Sequence, residues 1–273
     1  GTATRAGTAT PGARALTRAP RGVQAQAGAL VDAATSAAMW SRGMNTERPM
    51  ASITKVMTAI VVLRAGDLHR RIQVPKGVVP YDHKYDASNA GLRPGDYLTT
   101  RELLEAMLLP SGCDAAYALA KSYGPGWTAF IATMNSTAQR MGLAHTHFSN
   151  FDGLPWPTGR STYSTPRDLI ALGRAAMQYP VFRSIVIQQS YHLAATPRHH
   201  AYVWRTTNML LHGYPGTIGI KTGSTNAAGY CLLFEAHQNG RVLLGVVLHS
   251  SGSDPLAAFK DATKLLDWGF RHV

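Results

Sequence analysis

The sequence predicts an α+β fold: an antiparallel sheet flanked by helices, with a helical lobe inserted into it. Three observations carry this. Strand-like segments stand in adjacent pairs at both ends of the chain, with no helix between the members of a pair. Helical periodicity fills the middle. The 273 residues, 45% of them hydrophobic, suffice for one large domain or two packed lobes. The sheet lobe is expected over about 21–50 and 215–273, and the helical lobe over about 51–214. Residues 1–20 hold Thr, Ala, Arg, Gly and Pro with almost no large apolar side chains, which predicts a disordered tail.

Each element has its own signal. Residues 23–31 and 37–42 suit two strands, with Thr35–Ser36 at the turn. A helix is expected from near Ser52, its apolar stripe Val56, Ala59, Ile60 and Leu63, and Gly66 ends it. Thr99 and Glu102 form a capping-box pattern before Leu103, Leu104, Met107 and Leu108, and Pro110 stops that helix. Ser111-Gly112-Cys113 reads as a loop, with Asp114 as the cap of the next helix, through Leu119 to Gly124. Phe130, Ile131, Met134 and Met141 mark another helix. Thr165–Pro166 opens one more, with proline where its missing N–H is harmless. Residues 229–237 and 241–250 read as strands joined at Asn239–Gly240, a pair suited to a turn with positive φ at both positions. Asp254–Pro255 starts a last helix carrying Leu256, Phe259, Ala262, Leu265 and Leu266.

Composition narrows the function classes. Charged residues are 15%, and Lys plus Arg outnumber Asp plus Glu by 27 to 15, for a net charge of +12. That balance suits contact with an anionic surface such as a wall polymer, although the charges are scattered and form no run. Nucleic-acid binding would need a basic stripe with interleaved aromatics, which the sequence lacks, so no nucleic-acid partner is expected. The longest apolar stretches fall far short of the ~18 residues of a membrane helix. His199–His200 and the pair His145 and His147 lack metal-ligand companions, and no His-Glu-x-x-His occurs. Ile220 before Lys221 rules out a P-loop, and no dinucleotide fingerprint appears, so neither metal nor cofactor is expected. Cys113 and Cys231 could pair or stay free. A chain that begins at Gly1 and carries no charged, apolar leader is expected to be processed or truncated; a removed export signal would explain that, and so would a chosen boundary.

Three short motifs carry chemistry. In Ser52-Ile53-Thr54-Lys55, residues three apart on a helix share a face, so hydroxyl and amine can meet. Serine is a weak nucleophile until a base takes its proton. Lysine is that base only as the neutral amine, a form favoured by burial or a nearby cation. Ser111-Gly112-Cys113 places a second hydroxyl between two helices, where it can relay a proton. Lys221-Thr222-Gly223 places a cation, a hydroxyl and a bare backbone at a strand, which suits a peptide carboxylate. Each motif alone is common by chance. Their order and contexts together are not.

In that order the motifs resemble the Ser-x-x-Lys, Ser-Asp-Asn and Lys-Thr-Gly set of penicillin-binding proteins and serine β-lactamases. More narrowly, the chain resembles the low-molecular-mass D-alanyl-D-alanine peptidases of family S11, and within them the actinobacterial K15-type branch. Residues 109–120, Thr146-His147-Phe148, Phe151-Asp152-Gly153, residues 163–169, Gly219-Ile220-Lys221-Thr222-Gly223 and Trp268-Gly269-Phe270 extend the likeness from about Val23 to the end. The resemblance implies a penicillin-binding protein/β-lactamase-like fold and an acyl-enzyme mechanism on the D-Ala-D-Ala end of peptidoglycan stem peptides, with β-lactam antibiotics as covalent inhibitors. It implies Ser52 as nucleophile, Lys55 as base and Ser111 as proton relay. Cys113, Lys221, Thr222, Gly223 and Ser224 would line the substrate, with the backbone N–H groups of Ser52 and Ser224 as the oxyanion hole. Cys113 stands where most relatives carry asparagine, though K15-type enzymes share it. A nucleophilic Cys113 would need a His–Asn/Asp partner, and none is identifiable. A class A β-lactamase would need a deacylating glutamate, and no glutamate occurs between Ser111 and Lys221. A non-catalytic wall-binding protein on this fold would have less reason to keep all four of Ser52, Lys55, Ser111 and Lys221. Such relatives often carry an extra β-rich domain or an anchoring helix after the last catalytic helix, and this chain stops first.

Overall fold

The computed structural model describes residues 19–272. The expected tail over 1–20 lies almost wholly outside them. The centre is a five-stranded antiparallel sheet of β1 (Ala27–Asp32), β2 (Ala38–Arg42), β3 (Thr217–Thr225), β4 (Gly229–Gln238) and β5 (Arg241–Leu248), in the order β2-β1-β5-β4-β3. The two ends of the chain therefore meet at β1 and β5, where Ala29 faces Val246 and Val31 faces Leu244. Asn239 and Gly240 take positive φ at the β4–β5 turn, as their types predict.

The segment between β2 and β3 supplies α1 (Thr54–Ala65), α2 (Val78–Tyr85), α3 (Thr100–Leu108), α4 (Cys113–Tyr123), α5 (Gly126–Arg140), α6 (Pro166–Ala176), α7 (Pro180–Val186) and the single turn α8 (Leu210–Gly213). A final helix, α9 (Ala257–Arg271), follows the sheet. The sheet is covered on both faces. One core joins Ala29, Val31, Val246 and Leu233 to α1 and α6. The other packs Leu30, Leu232, Leu243 and Val247 against Ala258, Ala262 and Leu265 of α9. The near-continuous apolar runs of β4 and β5 follow from this, because both of their faces are buried. α6 belongs to the inserted segment yet lies on the sheet, and so ties the two parts together.

Local signals account for several boundaries. The Thr99 side chain accepts the Glu102 N–H, and Glu102 accepts the Thr99 N–H, closing the expected capping box. Thr165 caps α6 through the Asp168 N–H. Two expectations are corrected. Cys113 is not in a loop but is the first residue of α4, and Gly112, not Asp114, is the N-cap. Asp114 is buried in the first turn, where it accepts the N–H groups of Ala90 and Leu92 and so pins the preceding loop to α4. The last helix begins at Ala257 rather than at Asp254–Pro255, because Asp254 forms a turn by accepting the Leu256 N–H.

Candidate active site

Ser52 sits in a 3-10 turn, Ala51–Ile53, directly ahead of α1. Its neighbour Ala51 and the distant Ser111 both take left-handed φ, +51° and +64°, a strained state for residues with a Cβ. The surroundings hold that turn rigidly. A Cβ on Gly153 would meet the Ala51 carbonyl oxygen at 1.9 Å, and one on Gly223 would meet the Ser52 nitrogen at 2.7 Å. The bare backbones of two other segments thus clamp the Ser52 turn from either side.

The three motifs converge. Lys55 Nζ lies 2.9 Å from Ser52 Oγ, 3.0 Å from Ser111 Oγ, 2.8 Å from the Ser111 carbonyl oxygen and 3.2 Å from Cys113 Sγ. Lys221 Nζ lies 2.9 Å from the same Ser111 Oγ. One hydroxyl therefore bridges two amines, and both lysines are buried, at 0% and 1% exposure. Two adjacent ammonium groups out of water are mutually unfavourable. Burial, and then the charge of Lys55, hold the Lys221 ammonium well below the usual lysine range.

Above these groups opens a cleft of about 520 Å³ lined by Ser52, Ser111, Thr222, Gly223 and Ser224. Lys55, Lys221 and Cys113 lie beneath it rather than in its wall. What β3 presents to the cleft is the Thr222 hydroxyl, 2.5 Å from that of Thr207, and the edge of Ser224. Burial pushes the Cys113 thiol up to about 12, so the sulfur stays protonated and acts as a weak partner of Lys55. Both cysteines are free.

Residues without a motif complete the site. Ser88 lines the cleft and donates to the Ser111 carbonyl at 2.6 Å, and the Cys113 N–H donates to the Ser88 carbonyl at 2.8 Å. Behind Lys55, the fully buried Asp152 accepts a 2.5 Å hydrogen bond from Tyr81, whose hydroxyl accepts from Trp156 Nε1 at 2.9 Å. Burial raises the Asp152 carboxyl, and the Lys55 charge opposes that rise. Asp152 fell in a segment that pointed to the family, but nothing in its spacing gave it a role. Thr207 and Ser88 carried no signal at all.

The histidines are accounted for elsewhere. His200 pairs with Asp96, His145 with Glu47, and His147 packs on the Tyr163 ring. Among the described residues no group of three or more His, Cys, Asp or Glu could hold a metal ion, and no helix is long and apolar enough to cross a membrane.

Known proteins are similar to this chain in sequence and fold. The D-alanyl-D-alanine carboxypeptidase family model matches residues 14–252. The chain is 39% identical over 260 residues to a D-alanyl-D-alanine carboxypeptidase of Streptomyces sp. strain K15, covering 91% of this chain and 88% of that one. It is 34% identical over 247 residues to the D-alanyl-D-alanine carboxypeptidase DacB2 of Mycobacterium tuberculosis, covering 90% and 82%. The crystal structure of the Streptomyces K15 DD-transpeptidase superposes with a TM-score of 0.86 at 37% identity, over 93% of this chain and 100% of that one. With Ser52, Lys55, Ser111 and Lys221 gathered under one cleft in the same fold, the chain belongs to the D-alanyl-D-alanine carboxypeptidase family, the S11 serine peptidases.

Proposed function

We propose that the protein is a serine DD-peptidase that cleaves the D-Ala-D-Ala end of peptidoglycan stem peptides through an acyl-enzyme on Ser52. The observation that carries this reading is the unbroken path of contacts Ser52–Lys55–Ser111–Lys221 at the floor of an open cleft. Lys55 takes the Ser52 proton while Oγ attacks the carbonyl between the two D-alanines. The charge that develops on the carbonyl oxygen falls to the backbone N–H groups of Ser52 and Ser224. As the C–N bond breaks, Ser111 passes a proton to the leaving amine, and its hydroxyl is resupplied from Lys55 or Lys221. Thr222 receives the terminal carboxylate, with Lys221 behind it. Water or an amine then takes the acyl group, which gives carboxypeptidase or transpeptidase turnover.

A β-lactamase is the nearest rival. Hydrolysing a penicilloyl-enzyme quickly needs a carboxylate placed to activate water. Among the described residues the only carboxylate in the cleft wall is Asp86, exposed at the end of α2, while Asp152 is sealed behind Lys55. The cleft therefore favours a peptidase that β-lactams block. Incubation with an N-acylated peptide ending in D-Ala-D-Ala should release free D-alanine, and the same peptide ending in L-Ala-L-Ala should not. Equal release from both, or none from either, would contradict the proposal.

The reading places the protein outside the cytoplasm, at the cell envelope, because its substrate is there. The net charge of +12 suits an anionic wall. Retention on isolated cell walls should fall as salt rises through 0.1–1 M, since screening weakens such contacts. Salt-independent retention would remove charge as the cause.

A further inference from the structure

A second pocket, of about 320 Å³, lies beside the cleft. Its walls are Tyr81, Tyr85, Tyr117, Trp127 and Trp156, with Lys84 at the rim. The rings form one cluster. Tyr85 and Trp156 stack with centroids 6.3 Å apart at 29°, and Tyr117 meets Trp127 edge-on at 4.7 Å. Lys84 Nζ lies 5.2 Å from the centre of the Tyr85 ring. A purely structural cluster would be closed over, with its polar tips satisfied. This one is open, and its tips are not all satisfied. The hydroxyls of Tyr85 and Tyr117 have no hydrogen-bond partner among the described residues. Trp127 Nε1 is buried with no acceptor.

We propose that this pocket is a saccharide site, one that holds a pyranose ring of the glycan strand bearing the stem peptide. The inference rests on the peptidase reading and extends it to the polymer carrying the substrate. A pyranose has flat faces of C–H groups and a rim of hydroxyls, so it suits flat rings bordered by spare O–H groups. The pocket volume is at the lower end for small-ligand sites, which fits one or two sugar rings rather than an extended peptide.

Position supports the same occupant. The pocket and the cleft share two walls. Tyr85 lines the pocket and Asp86 the cleft at the end of α2, while Trp156 lines the pocket and Leu154 the cleft in the following loop. The two rims are thus separated by one or two residues, at most about 7 Å of chain. A substrate with its scissile bond at Ser52 therefore lies in a cleft whose rim adjoins the pocket.

The test is titration with the β-1,4-linked tetramer of N-acetylglucosamine, followed by tryptophan fluorescence. The wild-type protein should show a saturable change. Tyr85→Ala should bind at least tenfold more weakly, and Tyr85→Phe, which keeps the ring, within about threefold of wild type. Acylation with benzylpenicillin, which fills the cleft, should leave saccharide affinity unchanged within twofold. No saturable change in the wild type, equal binding by Tyr85→Ala, or loss of binding on acylation would overturn the site. Release of D-alanine by the wild type tests the peptidase reading separately, since the fluorescence titration needs no turnover.

Discussion

Gly223 shows how one residue sets the chemistry. Its Cα passes so close to the Ser52 turn that an added Cβ would sit 2.7 Å from the Ser52 nitrogen and 3.1 Å from that of Ile53. Those atoms are backbone and cannot swing away. Gly223→Ala should push β3 off the turn and misplace the Ser52 and Ser224 N–H groups. Loss of one oxyanion donor lowers the rate on the order of 10²–10³-fold. We therefore expect the acylation rate by a chromogenic β-lactam to fall at least ~100-fold while the circular dichroism spectrum is kept. A drop below tenfold in a folded variant would mean that the contact is not tight. Residue-scale legibility was uneven for a physical reason. Ser52 and Lys55 were readable because three positions along a helix share a face. The burial of Lys221 beneath the cleft was not, because strand periodicity does not say which face is covered by another segment. Asp152, Tyr81, Ser88 and Thr207 reach the site only through tertiary folding and leave no short-range pattern.

At the scale of elements, helices with chemical stop and start signals were readable and those without were not. The Thr99–Glu102 box, Thr165–Pro166 and Asn239–Gly240 all formed as their types require. α2 was missed. Its sequence, VVPYDHKY, has few apolar positions and a proline, which the first turn tolerates. Yet α2 supplies Tyr81 and Tyr85 to the aromatic pocket, and Asp86, directly after it, lines the cleft. α3 carries another hidden feature. Glu105 is buried, accepts from Gln188 at 2.8 Å and lies 3.7 Å from Arg101. Burial pushes its carboxyl up to about 7, although Gln188 and Arg101 oppose this. In the unfolded chain a glutamate titrates near ~4.3. The folded state therefore holds this proton more tightly. The resulting stability is fully present below about pH 4 and is lost as pH rises through about 7. Glu105→Gln removes that loss. Relative to wild type, the variant should gain on the order of 2–3 kcal/mol between pH 5 and pH 8. Denaturant midpoints at the two pH values check this, and a difference that does not change with pH would contradict it.

For the whole molecule, the chain ends build the sheet and the middle builds the helices, and the proposed catalytic groups come from both. Ser52, Lys55 and Ser111 belong to the inserted segment, while Lys221, Thr222 and Ser224 belong to the sheet. The cleft exists only where these parts meet, so it is a product of topology more than of any motif. The antiparallel sheet and the helical middle were legible from strand pairing and periodicity. That α6 of the middle packs on the sheet was not, since an amphipathic stripe does not name its partner. The central claim, an acyl-enzyme on Ser52 that no cleft carboxylate hydrolyses, is tested most directly by intact-mass analysis after mixing with benzylpenicillin, with Ser52→Ala alongside. One long-lived penicillin adduct is expected on the wild-type protein and none on the variant. An adduct that persists in Ser52→Ala, or rapid loss of the drug with no adduct, would contradict it.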